Sequence, residues 1–235
     1  MKNIIIASTS TLHESDYLEY LLPELSIHFK NCKTILFIPY ARPSGITHEE
    51  YTQKAAVAFA KIDIAVKGIN EYEDPIAALK DAEGIFTGGG NTFLLVTQLY
   101  KNNVMQTLSE VVKQGTPYLG TSAGSVICGL SMQNTNDMPI IYPPSFQTLG
   151  LIPFNINAHY LDPDTQSKHM GETRETRIKE FHSFNTIPVL GLREGSWLDV
   201  KGDTIVLKGN LQARLFKQNK TAIEINTNTH LSDLK

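Results

Sequence analysis

The stretch Thr116-Pro117-Tyr118-Leu119-Gly120-Thr121-Ser122-Ala123-Gly124-Ser125-Val126-Ile127-Cys128 decides how this chain is read. Thr116 to Leu119 is a short apolar run that suits a buried strand, and Ser125 to Cys128 is small and apolar enough to begin a packed helix. Between them lies a G-x-S-x-G pattern. A serine squeezed between a strand and a helix needs glycine on both sides, because the turn is tight and neighbouring elements approach closely. Such a turn lifts the Ser122 hydroxyl above the sheet edge. It also aims the Ala123 N–H, at the helix start, toward any oxyanion formed there. On this stretch alone two readings compete: a serine nucleophile, and an ordinary strand–helix turn rich in small residues.

Outward from this turn, apolar runs alternate with helix-period segments. Strands are expected at Asn3–Ser8, Thr34–Pro39, Ile62–Val66 and Gly84–Thr87. Helices are expected at Glu14–Lys30, Thr47–Lys61, Pro75–Asp81, Thr92–Tyr100 and Met105–Gln114, with Thr47 and Glu50 forming a capping box. This order argues for an α/β fold, a mainly parallel sheet flanked by helices on both faces. The second half differs. Asn134–Ser145 is polar, carries three prolines and reads as a loop. Leu149–Asn157 and Ile187–Leu192 read as strands, Thr173–Phe184 as a charged helix, and the chain from Trp197 as a short C-terminal antiparallel β meander. With no repeat or linker in view, residues 1–235 read as one domain.

Composition narrows the function classes. The chain has 235 residues, 41% of them hydrophobic and 19% charged, as in a soluble globular protein with a well-buried core. A net charge of −3 offers no footprint for nucleic acid or an anionic membrane. No segment approaches the ~20 apolar residues that span a bilayer, and the apolar run in Met1–Ala7 is too short for a signal peptide. The two cysteines, Cys32 and Cys128, lie in apolar surroundings without metal-type spacing, which suits a reducing cytoplasm.

In an open parallel sheet, ligands bind beyond the carboxyl ends of the strands. Four sets of polar groups directly follow apolar runs: Gly88-Gly89-Gly90-Asn91, Ser122, His159 and Glu194. The glycine triplet fits neither a P-loop, which needs a following lysine, nor a dinucleotide fingerprint, whose third glycine is replaced by Phe93. An oxyanion hole shared by the Gly90 and Ala123 N–H groups fits better; a tight turn alone hardly needs three glycines. Of seven histidines, His13, His28, His48, His169, His182 and His230 fall in helices, helix starts or the tail, and only His159 ends a strand. It is the candidate base for Ser122, although a lone histidine is more often structural. Two acids compete to orient it. Asp137 gives the order Ser–Asp–His and Glu194 gives Ser–His–Glu. Glu194 is favoured, because a strand-end carboxylate is held more rigidly than one on a proline-rich loop.

Arg174 follows Gly171-Glu172-Thr173 at a helix start, where a cation opposes the helix dipole. A misplaced arginine near a site is a candidate carboxylate binder. Arg177, one turn further in, reads as part of a solvated face.

Together, Gly88-Gly89-Gly90-Asn91-Thr92-Phe93, Gly120-Thr121-Ser122-Ala123-Gly124-Ser125, Asn157-Ala158-His159, Gly171-Glu172-Thr173-Arg174 and Glu194-Gly195 resemble the peptidase E (S51) family of serine peptidases. The resemblance implies a fold like the class I glutamine amidotransferases (flavodoxin-like), with serine at the elbow. It implies a cytoplasmic dipeptidase for substrates with an N-terminal aspartate, using Ser122 as nucleophile, His159 as base and Arg174 to recognise the aspartyl side chain. The family's third triad member has been assigned to either acidic position, so Glu194 and Asp137 both stay in play. Alternatives are a related activity on β-aspartyl, cyanophycin-type substrates, and a non-catalytic ligand-binding relative. The expected partner is a small dipeptide. No metal or other cofactor is called for, since neither H-E-x-x-H nor C-x-x-C occurs. Monomer and homodimer are equally compatible with the sequence.

Overall fold

The computed structural model describes residues 1–164, 166 and 171–234. His169 and Met170, which precede the Gly171–Arg174 motif, lie outside the described residues.

Five strands build the parallel core of the main sheet: β1 (Asn3–Ala7), β2 (Thr34–Ile38), β3 (Ala65–Gly68), β4 (Ile85–Thr87) and β5 (Tyr118–Thr121). The helices between them are α1 (Leu22–His28), α2 (His48–Ala60), α3 (Pro75–Lys80), α4 (Thr92–Lys101) and α5 (Met105–Gln114), with α6 (Ala123–Val126) directly after Ser122. Beyond come β6 (Asn155–Ala158), α7 (Arg174–His182), β7 (Val189–Leu192), β8 (Ser196–Lys201), β9 (Thr204–Gly209), β10 (Ala213–Phe216) and β11 (Ile223–Ile225). The main sheet has the order β3-β2-β4-β5-β1-β8-β9, parallel from β3 to β1 and antiparallel at β8 and β9.

Alternation along the strands assigns the helices to faces. Ile5, Ala7, Phe37, Phe86 and Leu119 pack on one side with Leu25 of α1 and Tyr51, Ala55 and Phe59 of α2. Ile4, Ile6, Leu36, Ile38 and Ile85 pack on the other with Leu79, Leu95, Leu108 and Val126 of α3 to α6. Both faces are therefore covered, as buried strands of this composition require. Among the described residues, no helix is long and apolar enough to cross a membrane.

The later strands form a second sheet, β11-β10-β7-β6, in which β6 and β7 run parallel. The C-terminal strands are antiparallel, as expected, but divided: the β8–β9 hairpin extends the main sheet and the β10–β11 hairpin extends the second. Ile156, Leu190, Leu192 and Leu215 of the second sheet join the same core as α4 and α5.

Element boundaries move where backbone chemistry intervenes. The Glu14–Lys30 helix contracts to α1, preceded by a short 3-10 turn, because Glu14 and Leu18 take left-handed φ of 60° and 61° and Pro23 sits at the α1 start. The Leu149–Asn157 strand contracts to β6, since Gly150 turns left-handed and Pro153 follows it. The third strand shifts from Ile62–Val66 to β3. The Thr47–Glu50 capping box is present on α2, with both of its hydrogen bonds made.

His28, at the end of α1, is buried beneath the sheet. Its Nε2–H donates to the Tyr118 carbonyl at 3.2 Å, and its Nδ1 faces Lys201 Nζ at 3.5 Å. Burial first, and then the Lys201 charge, pull its pKa down to about 3 from 6.5. The unfolded chain therefore binds this proton first, and stability present above pH 6.5 is lost as pH falls toward 3. That window corresponds to on the order of 5 kcal/mol. Denaturant titrations at pH 7 and pH 4.5 should show a smaller acid loss for His28→Gln than for wild type; equal losses would remove His28 as the cause.

Candidate active site

The turn at Ser122 is built from close approaches. Ser122 has φ 54° and ψ −114°, a sparsely populated conformation for a residue with a side chain. A Cβ at Gly120 would lie 2.3 Å from the Gly124 carbonyl, and one at Gly124 would lie 2.2 Å from the Thr87 carbonyl, so both motif glycines are sterically required. The Ser122 N–H donates to the Ala7 carbonyl at the end of β1. Ser125 Oγ lies 2.6 Å from Ala7 O and 2.7 Å from Gly120 O, tying β1 and β5 beneath the turn.

The glycine triplet comes up beside it from β4. A Cβ at Gly89 would meet Ser122 Cβ at 2.8 Å, while Gly90, at φ 146°, would place one 2.2 Å from Ala41 O. Tyr51 Oη donates to Gly89 O, and Asn91 caps α4 by accepting from Leu94 N–H. Neither the Gly90 N–H nor the Ala123 N–H donates to a protein acceptor among the described residues.

His159 arrives from the second sheet. It has φ 53°, and its N–H donates to Ser8 Oγ, whose own hydroxyl donates to the Leu192 carbonyl at 2.7 Å. Ser8, at the end of β1, thus joins β6 and β7 to the main sheet. This brings the carboxyl ends of both sheets together. His159 Nε2 lies 2.8 Å from Ser122 Oγ, and Nδ1 lies 2.6 Å from Glu194 Oε1. An ionised carboxylate can only accept, so the proton sits on Nδ1 and Nε2 is left to accept from the serine.

Asp137 lies elsewhere. Its Oδ2 accepts from the Thr92 N–H at 2.7 Å and the Thr92 hydroxyl at 2.5 Å, capping the start of α4, and it makes no hydrogen bond to His159. Its loop is nevertheless fastened to the histidine strand: Asn136 Nδ2 donates to Asn157 Oδ1 and to Ala158 O, and Asn157 Nδ2 donates to Asn134 O.

Arg174 opens α7 beside this loop, with Thr173 as N-cap. It shares a cavity of about 560 Å³ with Asp137, Glu172 and Arg177. Burial pulls the Arg174 guanidinium below its ordinary pKa, and the charges of Asp137 and Glu194 oppose that pull. Among the described residues Arg174 makes no ion pair, whereas its neighbour Glu175 pairs with Lys179 at 2.7 Å and Arg214 at 3.1 Å.

An ion cluster supports both α7 and the Glu194 turn. Arg193 donates two hydrogen bonds to Asp162, two to Glu224 and one to the Gln212 carbonyl. Arg214 bridges Glu224 and Glu175. Hydrogen bonds from Arg193 hold the Asp162 and Glu224 carboxyls below their usual pKa. Arg193 and Glu175 are thus fixed through shared partners, and each is the immediate neighbour of a candidate site residue. Sequence reading gave no role to Ser8, Asn157 or Arg193, although Ser8 follows the first apolar run and Asn157 belongs to the motif that ends in His159.

The model of peptidase family S51 matches residues 4–208. The chain belongs to peptidase family S51. It is accordingly a serine-type peptidase. It is 46% identical over 232 residues to a protein named peptidase E from Streptomyces coelicolor, covering 99% of this chain and 94% of that one. It is 45% identical to a Drosophila melanogaster protein named "Probable alpha-aspartyl dipeptidase", covering 92% and 90%. A crystal structure of a peptidase from an acI-B1 Actinobacterium shares the fold with a TM-score of 0.72 at 15% identity, over 98% of this chain and 96% of that one.

Proposed function

We propose that this S51 peptidase is a cytoplasmic dipeptidase that hydrolyses Asp-Xaa through a Ser122–His159–Glu194 triad. The observation that carries the reading is the unbroken chain from Ser122 Oγ through His159 to Glu194 Oε1, with contacts of 2.8 and 2.6 Å. The names of the relatives at 45–46% identity support the substrate class. The two buried free cysteines suit a reducing compartment.

The aspartyl side chain pairs with Arg174, which is charged at any physiological pH. His159 Nε2 takes the Ser122 proton as Oγ attacks the peptide carbonyl, and Glu194 stabilises the resulting imidazolium. The Gly90 and Ala123 N–H groups receive the oxyanion. His159 then protonates the leaving amine, and water, deprotonated by the same imidazole, releases aspartate from the acyl-enzyme.

Purified protein should cleave Asp-Leu and leave Leu-Asp and Asn-Leu essentially untouched, as followed by amine release. The asparagine substrate differs only in the group facing Arg174, whose fork then lacks its anionic partner. Comparable rates on all three would sink recognition by Arg174.

A further inference from the structure

Asp137 uses one half of its carboxylate. Its hydrogen bonds from Thr92 N–H, Thr92 Oγ1 and Thr135 Oγ1 all converge on Oδ2. Oδ1 has no hydrogen-bond partner among the described residues. Asp137 is half-buried and lines the cavity that also holds Arg174. Two hydrogen bonds of its lining lead toward the triad: Asp137 accepts from Thr92, which follows the glycine turn, and Asn136 donates to the Ala158 carbonyl next to His159.

An amino-terminal aspartyl residue carries an ammonium and a carboxylate within a few atoms of each other. Arg174 can compensate only the carboxylate, and an ammonium moved out of water without an anionic partner opposes binding strongly. We infer that Asp137 Oδ1 accepts the substrate's α-ammonium, making it a specificity residue that ties cleavage to a free amino terminus. This rests on the Asp-Xaa reading above. Asp137 and Arg174 then form a fixed pair of opposite charges matching the two charges of the aspartyl residue.

The probe is succinyl-leucine, which is Asp-Leu without its amine. Wild type should favour Asp-Leu over succinyl-leucine in kcat/KM by about 100-fold or more, the scale of truncating one partner of a hydrogen-bonded charge pair. In Asp137→Asn the donors gathered at Thr92 keep the amide oxygen, so the NH2 turns to the cavity and cannot accept from an ammonium. The cap on α4 survives, while the Asp-Leu preference should collapse toward unity, mainly through loss on Asp-Leu. Asp137→Ser should do the same, and Glu172→Gln, on the same cavity, should keep the wild-type ratio.

Thermal unfolding of each variant separates a folding defect from a changed preference. Equal loss on both substrates would mean that Asp137 acts through His159 or the helix cap, and would overturn the inference. So would a wild type indifferent to the amine, or a Glu172→Gln that abolishes the preference. A wild type inactive on Asp-Leu would overturn the Asp-Xaa reading as well.

Discussion

Ser122→Ala is expected to lose about 10⁶-fold in kcat, the scale seen when a triad nucleophile is removed, with thermal stability close to wild type. Alanine keeps the Cβ and so meets the same backbone strain at φ 54° and the same contact with Gly89. Only the hydroxyl bonded to His159 Nε2 is lost. Ser122→Gly sharpens the test, because glycine adopts this conformation freely. It should be equally inactive but more stable by roughly 1 kcal/mol, within the range stored by a strained residue. Single-turnover assays and denaturant unfolding measure the two quantities separately. An active Ser122→Ala would eliminate the serine mechanism, and a less stable Ser122→Gly would show that the turn carries no strain.

The elbow was legible in the sequence because its constraint is local. Gly120 and Gly124 are required by atoms within a few residues or on the adjoining strand, and glycine is the only residue type that satisfies them. The capping box at Thr47 and Glu50 was legible for the same reason. Two features were not. The apolar run Ile187–Leu192 marks a buried strand but does not say which sheet it joins, so the second sheet was invisible. Asp137 looked like a possible triad acid because proximity in a fold cannot be counted along a loop. Two of its three donors come from Thr92, 45 residues away. His159 and Glu194 were singled out in the sequence only by a topological rule, that functional groups follow strands; their meeting in the fold depends on Ser8 joining the two sheets.

Glu194→Gln tests the proposed third member of the triad. Glutamine preserves shape, but its amide can present an NH2 to His159 Nδ1, which favours the wrong tautomer and takes the accepting nitrogen away from Ser122. Replacing a buried triad aspartate by its amide costs about 10⁴-fold in kcat. The Glu194 side chain is 46% exposed, so water screens its charge and can partly stand in for it. A loss of about 10³-fold is therefore expected, below the buried case. This loss should fall equally on Asp-Leu and succinyl-leucine, because the proposed role of Glu194 is exerted on the histidine, to which it is hydrogen-bonded, and not on the substrate amine. Asp137→Asn should do the reverse, altering the ratio of the two substrates far more than the chemical step. A Glu194→Gln enzyme with near-wild-type kcat, alongside an Asp137→Asn enzyme crippled on both substrates, would return the triad role to Asp137. The present geometry opposes that exchange: Asp137 Oδ2 is committed to Thr92, whereas Glu194 Oε1 already lies 2.6 Å from the imidazole.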